Sequence, residues 1–203
     1  YYYCAVYKLG ITGGIGSGKS TASAFFKKKD AFVIDADSEA KNLFTKNNNL
    51  TQRIITTFGP QVTTNNQLDL KRLSELVFSS KSLQNQLNEI IWPEVSQLMI
   101  EAAQKAENVG LKLFIVDAAL LLEAGFIEFF NSILLITADK SIRIERILNR
   151  KNIPEDQIEK RMALQMPESE KKKLAHHIIE NNGTLSELYE KLENYWDSLN
   201  LNS

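Results

Sequence analysis

The sequence predicts an α/β fold: a parallel sheet of about five strands, covered on both faces by helices. Two observations carry this. Short apolar runs suited to buried parallel strands recur at residues 8–12, 32–35, 113–117, 133–137 and, more weakly, 177–179. Helix-patterned segments lie between them, and parallel neighbours require such crossovers because a tight hairpin cannot return a strand in the same direction. Ligands of these sheets sit beyond the carboxyl ends of the strands, so the ends of those runs are where chemistry is sought.

Taken in order, the first run leads into a glycine-rich turn and a helix starting near Lys19, and the second ends on two acids. Residues 38–110 are too long for one crossover and contain no convincing strand. They read as an inserted helical subdomain with helices over 38–44, 50–58, 70–78 and 81–107, the last expected to kink or divide at Pro93. Residues 47–49 and 63–67 read as polar connectors. Residues 141–173 read as helices around a break near 151–154, with nine Lys or Arg against six Asp or Glu, a local +3. A closing amphipathic helix over 186–199 completes the chain. The expected organisation is one domain over 1–203, with a core from 7–37, 111–140 and 174–203, the insert at 38–110 and a third segment at 141–173.

A chain of 203 residues suits one core with inserted subdomains. Twenty-four basic against twenty-five acidic residues give a formal charge of −1, which argues against a nucleic-acid binder working through a broad cationic face. Anion binding must therefore be local. A lone Cys4 offers no intrachain disulfide and suits a reducing compartment. No apolar run reaches the ~18 residues of a membrane span. The opening residues carry neither an initiating Met nor a basic region ahead of an apolar stretch, so no signal peptide is expected. Residues 1–6 read as a lead-in, and a cytoplasmic location is the expectation.

Gly13, Gly14, Ile15, Gly16, Ser17, Gly18, Lys19 and Ser20 match G-x-x-x-x-G-K-[ST] at every fixed position, with Thr21 following. The motif lies where its mechanism requires, between a strand and a helix. Its glycines let backbone N–H groups turn inward around phosphate oxygens, and the helix N-terminus adds its positive end. Lys19 would reach the β- and γ-phosphates while the Ser20 hydroxyl ligates the Mg²⁺ that accompanies ATP.

Such a loop serves kinases, switches and motors alike. The Asn-Lys-x-Asp guanine-reading motif of GTPases is missing, and Asp117 is followed by Ala118 rather than the catalytic Glu usual in motor-type ATPases. Asp117 has two open readings: assistance to Mg²⁺ through water, or a strand-end acid capping the next turn. Asp35 and Asp37 end the second strand at the edge that holds the phosphates. A carboxylate there can orient an acceptor hydroxyl and take its proton, while the alternative for Asp37 is an N-cap on the helix starting at Ser38.

Read together, these residues resemble the dephospho-CoA kinase family from Lys8 to Leu199. The matching pieces are TGGIGSGKST at 12–21, IDAD at 34–37, Phe58-Gly59, LNEIIWP at 87–93, DAALLLEAG at 117–125, RILNR at 146–150, KRMALQMP at 160–167 and IIENNG at 178–183. The first is widely shared among P-loop proteins; the ordered set is far more specific. The resemblance implies a P-loop, nucleoside-kinase-like three-layer fold, with an acceptor-binding insert and a lid over residues 141–173 that closes over ATP. It implies transfer of the ATP γ-phosphate to the ribose 3′-hydroxyl of dephospho-CoA, the last step of coenzyme A biosynthesis. Asp37 is then the base, Arg146 and Arg150 belong to the lid, and Asn181, Asn182 and Gly183 pass the adenine. On the acceptor side the implied residues are Asp35, Asp37, Lys41, Trp92 and Pro93. Two positions depart from the pattern: the family usually has His-Pro where this chain has Trp92-Pro93, and often Arg at Lys41. Trp cannot reproduce an imidazole's hydrogen bonding, and Lys loses the bidentate fork. The implied partners are ATP and dephospho-CoA, with no nucleic acid, no membrane, and a monomer or weak homo-oligomer.

Arg146, Arg150 and Arg161 fall at helical spacing in the basic stretch, where they can hold phosphate oxygens or form a solvated face. Lys171, Lys172 and Lys173 read as solvent-facing charge. His176 and His177 read as structural, since adjacent strand side chains point to opposite faces and no further His exists. Tyr195 and Trp196 read as packing. Beside the dephospho-CoA kinase reading stand another small-molecule or nucleoside monophosphate kinase, and a non-catalytic ATP-binding regulator.

Overall fold

The computed structural model describes residues 5–150 and 154–201, so Cys4 and most of the break expected near 151–154 lie outside the described residues, as does the Arg150 side chain. In chain order the elements are β1 (Tyr7–Thr12), α1 (Lys19–Lys27), β2 (Phe32–Asp35), α2 (Ala36–Lys46), α3 (Asn48–Phe58), β3 (Thr63–Thr64), β4 (Gln67–Leu68), α4 (Leu70–Val77) and α5 (Lys81–Asn108). There follow β5 (Leu113–Asp117), β6 (Ser132–Thr137), α6 (Lys140–Arg150), α7 (Glu155–Ala163), α8 (Glu168–Leu174), β7 (His177–Glu180) and α9 (Leu185–Ser198).

The five strands expected from the sequence form one sheet in the order β2-β5-β1-β6-β7, every pair parallel. β5 and β6 are buried at every residue, as flanking helices on both faces require, and their Leu, Ile, Val and Phe runs match that environment. The register sets Asp35 of β2 beside Asp117 of β5, and Thr12 of β1 beside Leu135 of β6, so the functional ends of the strands share one edge.

The chain divides into two compact units, one of Tyr1–Asp35 with Ile100–Ser203, the other of Ala36–Met99. In the first, Leu9, Ile11, Phe26, Ile115, Leu134, Ile136, Leu188 and Leu192 form the core against α1 and α9. Tyr195 and Trp196 pack there against Phe26, and burial pushes the Tyr195 phenol up to about 12. His176 accepts a hydrogen bond at Nδ1 from Ile133 N–H at 3.0 Å, and His177 stacks edge-on against Tyr195, both structural roles. The second unit has its own core of Leu50, Ile54, Phe58, Val62, Leu73 and Val77.

Three local expectations are corrected, and a fourth, that α5 kinks or divides at Pro93, loses the division. α5 runs unbroken through Pro93. Proline removes a single N–H from the ladder, while the stripe of Ile91, Val95, Met99, Ala103 and Ala106 stays buried on both sides of it. The connector at 63–67 closes a small antiparallel hairpin, β3 with β4, because Asn65 and Asn66 both accept left-handed backbone, with φ of 51° and 60°. α2 begins at Ala36 rather than Ser38, which puts Asp37 inside its first turn and removes the N-cap reading. Lys171 is not solvent-facing: it is 2% exposed, for a reason given below.

Candidate active site

The phosphate-loop residues Gly13 to Thr21 occupy the turn from β1 into α1. Gly16 and Gly18 hold φ of 82° and 101°, the left-handed region that a side chain resists, and Gly18 is the N-cap of α1. The loop closes on itself through Ser17 N–H to Gly14 O at 3.0 Å, and Thr21 N–H and Ala22 N–H both donate to Gly18 O. Ser17 Oγ is buried without a partner among the described residues, while Ser20 at the start of α1 is exposed. A glycine-rich turn at the positive end of a helix, next to a cationic side chain, is an arrangement able to hold an anion.

That side chain, Lys19, forms a largely buried ion pair with Asp117 at the end of β5, whose other oxygen accepts from Ser23 Oγ at 2.7 Å. Lys19 and Ser23 are one helical turn apart, so α1 presents both to the same carboxylate. Both Asp117 oxygens are thus engaged by side chains of α1.

Beyond β7, Asn181 closes the loop from behind, its Nδ2 donating to Ser17 O at 2.8 Å. Asn182 accepts from Asp139 N–H at 2.8 Å and donates to Asp139 Oδ1 at 3.1 Å. Arg146 of α6 donates to Asn181 O at 2.9 Å and Gly183 O at 3.4 Å. Sequence-expected residues from Gly13 to Thr21, Asp35, Asp117, Arg146 and Asn181 to Gly183 thus belong to the unit carrying the sheet. Asp37 and Lys41, on α2 and both exposed, belong to the other unit with half-buried Trp92 and exposed Pro93 of α5. Arg150 closes α6.

The family model for dephospho-CoA kinases matches residues 7–187. The chain belongs to the dephospho-CoA kinase family. A dephospho-CoA kinase of Geobacillus kaustophilus is 33% identical over 195 residues, spanning 94% of this chain and 97% of that one. Another, from Fusobacterium nucleatum, is 36% identical over 192 residues, spanning 94% and 97%. Among solved structures, a protein of Thermus thermophilus superposes with a TM-score of 0.80 at 30% identity, over 96% of this chain and 98% of that one. Membership makes the chain an ATP-dependent kinase, a transferase, on a three-layer α/β P-loop fold.

Several residues around this kinase's cradle escaped the sequence reading. Arg143 lies three residues before Arg146 on α6, with a 12% exposed side chain and Nη2 at 3.4 Å from Glu168. The i, i+3, i+7 spacing of Arg143, Arg146 and Arg150 was the available signal. Gln165 accepts the Ile15 N–H at 3.2 Å, and Thr137 donates to Glu168. Lys171 is buried because it pairs with Glu123 at 3.0 Å and donates to Ala119 O at 3.1 Å, while Glu123 also accepts from Met166 N–H at 2.8 Å. Glu123 and Lys171 are 48 residues apart, and no local pattern links them.

Proposed function

We propose that this chain phosphorylates the ribose 3′-hydroxyl of dephospho-CoA with Mg-ATP. The observation that carries the reading is the paired cradle of Gly13 to Ser20 and Lys19–Asp117 in a chain that matches the family model almost end to end. The cradle N–H groups and Lys19 bind the β- and γ-phosphates, and neutralise charge as the γ-phosphoryl group departs. Asp37 orients the 3′-hydroxyl and takes its proton as oxygen bonds to the γ-phosphorus. The bond from that phosphorus to the bridging oxygen breaks, and its electron pair stays on ADP. Arg150 contributes from the lid, residues 141–173, and Arg146 with Asn181, Asn182 and Gly183 forms the wall along the nucleotide. The insert at 38–110, with Asp35, Lys41, Trp92 and Pro93, receives the acceptor.

Among the described residues no cluster of three or more His, Cys, Asp or Glu could hold a metal by itself. That suits an ion carried in on nucleotide phosphates, met by the exposed Ser20 hydroxyl and by Asp117 through water. With ATP bound, Ser20 and, through water, Asp117 would hold the ion, which would supply positive charge against that of the phosphates. The balanced charge and the single cysteine favour a cytoplasmic enzyme acting on small molecules rather than nucleic acid.

An acceptor panel with Mg-ATP tests this: dephospho-CoA should be phosphorylated efficiently, adenosine and AMP poorly, and CoA not at all, with the new phosphate on the 3′ oxygen. Remote binding energy from the pantetheine arm positions the hydroxyl, so truncated acceptors should lose rate as well as affinity. Asp37→Asn should cost about 10²-fold or more in kcat at parental thermal stability. Better turnover of AMP than of dephospho-CoA would overturn the acceptor assignment.

A further inference from the structure

We propose that Arg143 contacts the terminal phosphate of the bound nucleotide, acting as an arginine supplied from within the chain to the γ-phosphoryl group. This rests on the ATP-dependent reading above and adds to it a residue that the sequence motifs did not single out.

The side chain is buried against the cradle rather than splayed into solvent. Arg143 Nη1 stands 2.0 Å from where a Cβ on Gly14 would lie, and its backbone oxygen 2.6 Å from the same point on Gly16. Two variable positions of the motif are therefore glycine where α6 presses on the loop, and any side chain at residue 14 would collide with the guanidinium.

The guanidinium is also under-used. Arginine offers five donors, yet Nε is buried with no partner among the described residues, and the ion pair to Glu168 is long at 3.4 Å. Glu168 is shared, since Thr137 donates to its other oxygen. A buried cation with weak pairing is a poor structural tie, because desolvation costs more than such a contact returns. Arg146 differs: its donors go to the carbonyls of Asn181 and Gly183. Arg143 is thus the described arginine of α6 with a buried donor that lacks a partner among the described residues.

An acceptor already sits next to it. Gln165 Oε1 takes the Ile15 N–H of the loop, 3.7 Å from the Gly14 point that Arg143 Nη1 also crowds. Backbone N–H and guanidinium converge there on a place suited to an anionic oxygen, and a phosphate oxygen satisfies both with stronger, charge-assisted bonds. Gln165 holds that place by a neutral bond that a phosphate displaces.

The experiment compares ADP with a non-hydrolysable ATP analogue, each with Mg²⁺, by calorimetric titration of the parent, Arg143→Met and Arg143→Lys, alongside kcat with dephospho-CoA and a melting curve for each. Contact with the terminal phosphate predicts that Arg143→Met weakens the ATP analogue at least tenfold relative to ADP and lowers kcat by about 10²-fold or more. Arg143→Lys should fall between, keeping a charge but not the fork. Equal weakening of both nucleotides, or of neither, would overturn the proposal and leave Arg143 as a loop-positioning residue. If Arg143→Met does not fold, the ratio measured on Arg143→Lys decides. A parent that binds the analogue but leaves dephospho-CoA untouched sinks the acceptor reading alone, since the ADP-to-ATP ratio still reports on Arg143.

Discussion

At the scale of single residues, burial decides what a charge does. Lys171 sits in a run of three lysines, and its neighbours pair at the surface with Glu180 and Glu170. Lys171 alone is enclosed, held by Glu123 and Ala119 O, and the second oxygen of Glu123 is buried without a partner among the described residues. Removing the ammonium would strand a buried carboxylate, so Lys171→Met should destabilise the fold by about 3 kcal/mol. Lys172→Met, at an exposed pair, should change it by less than about 1 kcal/mol. Urea unfolding of the two variants checks this, and equal effects would mean that the Glu123–Lys171 pair ties down nothing.

Among elements, α9 shows how local chemistry starts a helix. Thr184 accepts the Glu187 N–H at 3.3 Å while the Glu187 carboxylate accepts the Thr184 N–H at 2.6 Å, a reciprocal capping box. The Thr184 N–H, and after it the Thr184 hydroxyl, donate to the exposed Glu187 carboxyl and hold it below its ordinary range. Because α9 supplies Leu188, Leu192 and Tyr195 to the core, loss of the cap should be felt in global stability. Thr184→Ala should cost about 1 kcal/mol, and Thr184→Ser much less. Denaturant midpoints measure it; an unchanged midpoint in Thr184→Ala would show that packing alone holds the helix start. α5 makes the opposite point, for there the buried stripe carries the helix past a proline that local rules read as a kink or a division.

For the whole molecule, ligand binding and folding are linked. The cradle lies in the unit built on the five-stranded sheet, with Ser17, Lys19, Asp117 and Asn181 joining β1, α1, β5 and the end of β7. A nucleotide held there binds only the folded chain, so saturation at 100 times Kd should stabilise it by about 2.7 kcal/mol. For a chain of this size that corresponds to a rise in Tm of about 5–10 °C. Calorimetry with and without Mg-ATP reads the shift, which Lys19→Ala should largely abolish. An undiminished shift in that variant would remove Lys19 from phosphate binding.

The sequence by itself determined the five strands of the main sheet, the phosphate loop and the family. Each is written locally: apolar runs of strand length, a motif whose glycines and lysine are contiguous, and ordered blocks from TGGIGSGKST to IIENNG. Only the tertiary structure decided what the charged groups between those blocks meet. Nothing near Asp117 in the sequence announced its contacts to Lys19 and Ser23 of α1, and Lys171 looked solvent-facing until Glu123 enclosed it. Arg143 had no distinction until Gly14 and Gly16 admitted it to the cradle. The physical reason is range. Periodicity and turn chemistry act over a few residues and leave a mark in the sequence, whereas desolvation and pairing depend on which distant groups the fold brings within a few ångströms.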